Sequence, residues 1–163
     1  MAHFDAEDER FGHQLPEPFR NVVHHNDSWR ESLFFIMHKR NEPGDVLILT
    51  LAHFPAHNEM DSLQLGRVGN SPVMARHART TAADPNNWNV GPVSIDIVEP
   101  KKKIHLLARK SDATPVELDI TFTARTSPYQ LRRGTMKAGN EVVWDQTHMF
   151  QSGTYNGTYT HNG

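Results

Sequence analysis

Two short clusters in this chain hold the residue types that proton-transfer chemistry uses. The first is His24-His25-Asn26-Asp27-Ser28-Trp29, with two imidazoles, a carboxylate and an indole within six residues. There His25 or Asp27 is a candidate to protonate an alkene or polarise a carbonyl, with Trp29 on the rim of a ligand cavity. The same residues also suit a simple turn, Asp27 or Ser28 bonding the backbone and Trp29 packing on the end of a sheet. The second cluster is Trp144-Asp145-Gln146-Thr147-His148. Strand alternation would put Val142, Trp144, Gln146, His148 and Phe150 on one face, so Trp144 could stack on a ligand while Gln146 and His148 supply polar contacts. An ordinary mixed strand with His148 in solvent fits that pattern as well. A carboxyl serves as a proton donor near neutral pH only where burial raises its pKa. Asp27 and Asp145 are the carboxylates nearest aromatic residues and are therefore, with His25 and His148, the candidate catalytic groups.

Three further positions join the candidate ligand-binding set of Trp29, Trp144 and Gln146. Arg76 lies beside His77, and since strand neighbours point to opposite faces only one of the two can point inward. Trp88 is isolated in TAADPNNWNVGP. His53 precedes His57 by four residues, a spacing that serves metal on a helical face. Pro55 between them, and the lack of a glutamate after His53, argue against that use, and no metal ligand or cofactor is assigned. A P-loop, a nucleophile elbow and a glycine-rich phosphate loop are all missing from the sequence, which leaves nucleotide chemistry and serine hydrolysis without support.

The elements that must position these groups are strands. In Val93–Arg125, Val116, Leu118, Ile120, Phe122 and Ala124 alternate with Glu117, Asp119, Thr121, Thr123 and Arg125, the period-2 pattern of a strand with one buried face. Val93, Ile95 and Ile97, then Ile104, Leu106 and Ala108, repeat it between turns at Glu99-Pro100-Lys101 and Lys110-Ser111-Asp112. Upstream, WRESLFFIMH and DVLILTLAHF form a hairpin across Asn41-Glu42-Pro43-Gly44, and both faces of the second strand are apolar. DSLQLGRV and SPVMARHART follow as a hairpin around Gly69-Asn70. A loop over residues 127–140 precedes a late strand in EVVWDQTHMFQSGTY. No segment keeps a helical period. About eight or nine strands joined by short turns predict an all-β, antiparallel barrel or sandwich.

With 163 residues and no cysteine, the chain can bury roughly two-thirds of its unfolded surface without disulfides. Its 17 Lys and Arg against 19 Asp and Glu leave it slightly acidic, and its densest basic run is Lys101-Lys102-Lys103 in a turn, so nucleic acid is not an expected partner. The acidic, polar N-terminus shows neither a secretory leader nor a membrane span, which predicts a cytoplasmic protein. Residues 1–27 read as an extended lead-in that lies on the surface or plugs an opening, 28–150 as the β domain, and 151–163 as the start of a linker or a second β domain. The turn signals Asn156-Gly157 and Asn162-Gly163 suggest a chain cut short inside a hairpin.

Four motifs fall in a familiar order: Asn26-Asp27-Ser28-Trp29, Val98-Glu99-Pro100, Leu118-Asp119-Ile120-Thr121-Phe122-Thr123-Ala124-Arg125, and Gln151-Ser152-Gly153-Thr154-Tyr155-Asn156-Gly157. Over roughly residues 26–163 they resemble the lipocalin-like bacterial family related to carotenoid 1,2-hydratase (hydroxyneurosporene synthase) and AttH-type proteins. The resemblance implies a lipocalin-like fold, the first of two such domains, enclosing a large apolar molecule of isoprenoid or lipid-like kind. It implies a hydratase or cyclase type of enzyme, or a non-catalytic binding or structural half, and a second lipocalin-like domain as partner. It transfers no catalytic residue to a position in this chain.

Overall fold

The computed structural model describes residues 6, 9–11, 27, 29–41, 44–81, 87–146 and 148–161. Thirteen strands and one turn of 3-10 helix (Pro55–His57) make up its regular structure. A four-stranded sheet, sheet I, is an antiparallel meander of β1 (Glu31–His38), β2 (Val46–Phe54), β3 (Glu59–Val68) and β4 (Ser71–Thr80). Sheet II has five strands in the order β13 (Gly153–His161), β8 (Val116–Ala124), β7 (Lys103–Ala108), β6 (Val93–Glu99) and β5 (Asn89–Val90). Two short pairs complete the set: β9 (Tyr129–Gln130) with β12 (Met149–Phe150), and β10 (Gly134–Ala138) with β11 (Glu141–Gln146).

The two sheets stack as a sandwich; of the two architectures expected from the strand pattern, this is the one observed. Period-2 alternation fixes which residues meet in the middle. Phe35, Met37, Leu47, Leu49, Leu51, Met60 and Val73 of sheet I face Val93, Ile95, Ile104, Leu106, Val116, Leu118, Ile120 and Phe122 of sheet II in one cluster. Leu51 and Leu106 lose all exposure, each contributing about 2–3 kcal/mol by burial. In β2 the opposite face is partly covered too, with Thr50 and Ala52 buried, in keeping with its apolar character on both sides.

One flank of the sandwich is sewn shut and the other is open. On the closed flank Ser62 donates to the Val90 carbonyl (3.1 Å) and Arg79 to the Asn89 carbonyl (2.6 Å), and Gln64 ties β3 to the start of β8 through the Val116 carbonyl (2.8 Å). On the open flank β1 and β13 are the edge strands of their sheets. They run in the same direction across the gap: Phe35 meets Phe122, which packs on Tyr155, and Lys39 meets Tyr159.

Two expectations need correction. The late strand read from Glu141 to Tyr155 is three elements. β11 pairs with β10, β12 pairs with β9, and the chain then turns at Ser152, whose carbonyl accepts from the Arg125 N–H at 2.8 Å. Secondly, residues 153–161 are one continuous strand rather than a stretch broken by a turn. They form β13, paired with β8 over its whole length from Gly153↔Ala124 to His161↔Val116. Asn156-Gly157, read as a turn, sits inside that strand. Gly157 has φ +145°, and a Cβ there would lie 2.1 Å from the Asp119 carbonyl oxygen, so glycine serves close backbone approach rather than chain reversal. The lead-in lies largely outside the described residues, but Glu9 and Phe11 pack against the domain. No helix among the described residues is long and apolar enough to cross a membrane.

Candidate functional site

The space between the sheets is filled where Leu49, Ile95 and Leu118 meet, and a cleft lies beside them at the open flank. It is a cleft of about 1370 Å³ between β1 and β13. Leu33, Phe35, Met37, Leu47, Ile104, Ile120, Phe122 and Tyr155 form its apolar floor. The alternation of β1, β7 and β8 aims these side chains inward, so that six of the eight are buried in the core and only Leu33 and Tyr155 among them stay partly exposed.

Each end of the cleft is polar. At one end the Tyr159 hydroxyl donates to Asp45, whose other oxygen accepts from the Gly69 N–H at 2.6 Å. Lys39 sits 3.7 Å from the same carboxylate and 5.4 Å from the Tyr159 ring centroid. The hydrogen bonds from Tyr159 and Gly69 hold Asp45 below the usual carboxylate range, and burial, with the Asp45 charge, pushes the Tyr159 phenol up. This clasp ties the β1–β2 turn to β13.

At the other end stands Glu9, only 3 % exposed, accepting from the Lys101 N–H at 2.5 Å. Burial raises its pKa, against the lowering effects of that bond and of Lys101 and Arg10. Gln151 donates to the Lys101 and Thr126 carbonyls at 2.8 Å each, fixing the loop beneath it. Between the ends Tyr155, half-buried against Phe122, has its phenol pushed up to about 12 by loss of solvent. It therefore stays a neutral O–H donor across the physiological range.

The structure disperses most of the sequence candidates. His148 lines the cleft, with the Gln146 amide nitrogen 2.8 Å from its Nδ1. Trp144 stands on the separate β10–β11 hairpin, 46 % exposed over Gly134, and Asp145 beside it is ion-paired with Arg133 through a two-pronged contact. Asp27 is exposed, its carbonyl accepting from His57 Nε2 at 2.6 Å; Trp29 is half-buried just before β1, and His25 lies outside the described residues. Arg76 points away from the core, pairing with Asp61 and Glu59 at 2.8 Å each on the outer face of sheet I. Trp88 is a core residue packed on Phe11 at 5.1 Å. His53 is buried opposite Glu31, its pKa lowered by burial and then by the nearby Arg79 charge.

Sequence reasoning missed Glu9, Lys39, Asp45, Tyr155 and Tyr159. All five gain their setting from contacts distant in the chain, and nothing in their local sequence marked them. Among the described residues no group of three or more His, Asp or Glu is placed to hold a metal ion.

No curated protein and no solved structure gives a significant match to the chain. One family profile does match, across residues 6–163, nearly the whole sequence. The chain thus belongs to the family described as "Family of unknown function (DUF8625)".

Proposed function

We propose that the protein binds a hydrophobic small molecule, isoprenoid or lipid-like, in the cleft between β1 and β13. The observation that carries this reading is a cleft of about 1370 Å³ between the two edge strands, with an apolar inner wall and a few polar groups at its ends. The likeness to carotenoid hydratase and AttH-type proteins supports the same class of ligand. A hydratase or cyclase type of reaction in the cleft would draw its proton from Glu9, the buried carboxyl at its edge. The proposal includes a cytoplasmic setting, which rests on the cysteine-free sequence.

The test is native mass spectrometry of the protein purified from its expression host, followed by denaturing extraction. A co-purifying apolar molecule at one equivalent is the expected result. An empty protein that also takes up no added isoprenoid or lipid would overturn the reading.

A second reading, a non-catalytic half that docks on another lipocalin-like domain, is favoured by the outer face of sheet I. There Ile36, Ile48, Leu65 and Met74 are in register across all four strands, and Ile36, Leu65 and Met74 are 54, 40 and 75 % exposed. Met74→Asp with Ile36→Asp should improve solubility and leave ligand uptake intact if that face only docks a partner.

A further inference from the structure

The segment between β8 and β13 stands apart from the sandwich. Among its described residues, from Arg125 to Ser152, none is buried, and β10 and β11 pair only with each other. A lone two-stranded hairpin is marginal in water, so folding alone gives its exposed apolar side chains no role. They form a row. Trp144 lies opposite Met136 in register, on the same face of the hairpin. Gln146, two residues on, contacts the His148 ring; the His148 and Phe150 rings are 6.3 Å apart between centroids, and those of Phe150 and Tyr129 6.1 Å. Trp144, Met136, Phe150 and Tyr129 are all exposed, and His148 and Phe150 also line the cleft. The row therefore ends at the edge of the cleft.

Positive charge gathers at the same place. Gln151 donates to both the Lys101 and the Thr126 carbonyls, which ties the turn at 99–103 to this segment. Together residues 99–103 and 125–152 hold seven of the 17 Lys and Arg but only three of the 19 Asp and Glu, in a chain of net charge −2. Two of those three acids are ion-paired, Glu99 with Lys102 and Asp145 with Arg133. Glu9, a further carboxyl at this turn, is buried.

We infer that this segment docks on the surface of an anionic lipid bilayer, with Trp144, Met136, Phe150 and Tyr129 entering the headgroup layer among the basic residues. Tryptophan and tyrosine settle at that depth because one end of each ring is apolar and the other polar, and every Lys or Arg near an anionic leaflet adds attraction. A nucleic acid would match the charge but not the methionine. The docking rests on this segment alone; its use, to pass an apolar molecule between bilayer and cleft, rests on the proposed binding in the cleft.

The experiment is co-sedimentation of the full chain with vesicles of phosphatidylcholine, alone or with about 30 % phosphatidylserine, at about 0.1 M and about 0.5 M salt. Binding should be about tenfold tighter with phosphatidylserine and weaken at the higher salt. Trp144→Ser/Met136→Ser should lower binding to the anionic vesicles about tenfold, and Arg132→Gln/Lys137→Gln should reduce the preference for them. Ile36→Asp/Met74→Asp, on the outer face of sheet I, should change neither. Loss of binding in that variant but not in Trp144→Ser/Met136→Ser would overturn the assignment of the surface. Tight binding of duplex DNA without pelleting on vesicles would reassign the charge to a nucleic acid and overturn the docking. No pelleting with either vesicle would overturn it too, and leave the cleft to the mass-spectrometric test. The lipid and salt dependence of the wild type decides the matter even where a variant does not fold.

Discussion

The Tyr159 hydroxyl donates to the Asp45 carboxylate across the mouth of the cleft, joining residues 114 positions apart and two sheets that share no ladder on that side. Replacing either partner should leave the core intact and loosen the open flank. In Tyr159→Phe and Asp45→Asn, amide exchange in β1 and β13 should rise several-fold relative to β3 and β7, and bound ligand should leave faster. Unchanged protection in the two edge strands would show that the clasp does not control the opening.

The clasp also carries a pH signature. Asp45 sits below its ordinary value near 3.8, so it binds protons more weakly folded than unfolded. Its contribution is fully present above that ordinary value and fades as the pH falls through the lowered folded one. Edge-strand protection factors, which divide out the intrinsic pH dependence of exchange, should therefore be flat from pH 7 down to the ordinary value and fall below it, and Asp45→Asn should abolish the fall.

His53 adds a second pH effect in a higher range. Burial lowers its pKa below the ordinary 6.5, so the folded protein prefers the neutral ring. Stability from this group is complete above 6.5 and declines as the pH drops from there towards the lowered folded value. Thermal melts should show a falling Tm below that point, and His53→Gln should flatten the slope even if it lowers Tm overall. Glu31, opposite in register, and Arg79 are the charged neighbours whose replacement should alter the slope.

Trp144 and Phe122 separate a surface aromatic from a floor aromatic. Trp144→Ala should change binding of an apolar ligand less than about twofold, since the ring stands on the β10–β11 hairpin. Phe122→Leu should weaken binding several-fold for a stability cost of about 1–2 kcal/mol, because the side chain is 5 % exposed and touches Phe35 and Tyr155. Calorimetry with a dodecyl probe and denaturant melts read the two effects independently.

Glycine at 157 should resist substitution. Gly157→Ala puts a Cβ on the Asp119 carbonyl at φ +145° and should cost about 2 kcal/mol or more, read as a lower urea midpoint. A neutral result would mean that β13 can shift along β8 without loss.

Seven of the nine principal strands could be read from the chain: in β1, β2, β6, β7 and β8 apolar inner residues recur with a spacing of two, and β3 and β4 were marked by the Gly69-Asn70 turn between them. β5 is only two residues long, too short to show a period. β13 escaped because its inner positions are Tyr155, Gly157 and Tyr159 among threonines and asparagines, a composition that signals turns when taken locally. Its strand character comes from β8, whose open edge supplies the hydrogen bonds. The β9, β10 and β12 segments escaped for the same reason, being short and mostly exposed. At the site, His148 was visible as a histidine in a strand pattern. Glu9 was not, since burial of a carboxylate 92 residues from its hydrogen-bond donor leaves no trace in its neighbours.

The stitched flank has a mechanical meaning. Ser62 and Arg79 bind the sheets along one side as a spine binds covers, while the far edges meet through the Asp45–Tyr159 latch. Rotation about that spine would widen or narrow the cleft without breaking any strand pairing within either sheet. Gape is then a coordinate the molecule can adjust to the girth of its guest, and ligands of different thickness should be accommodated by one rigid pair of sheets.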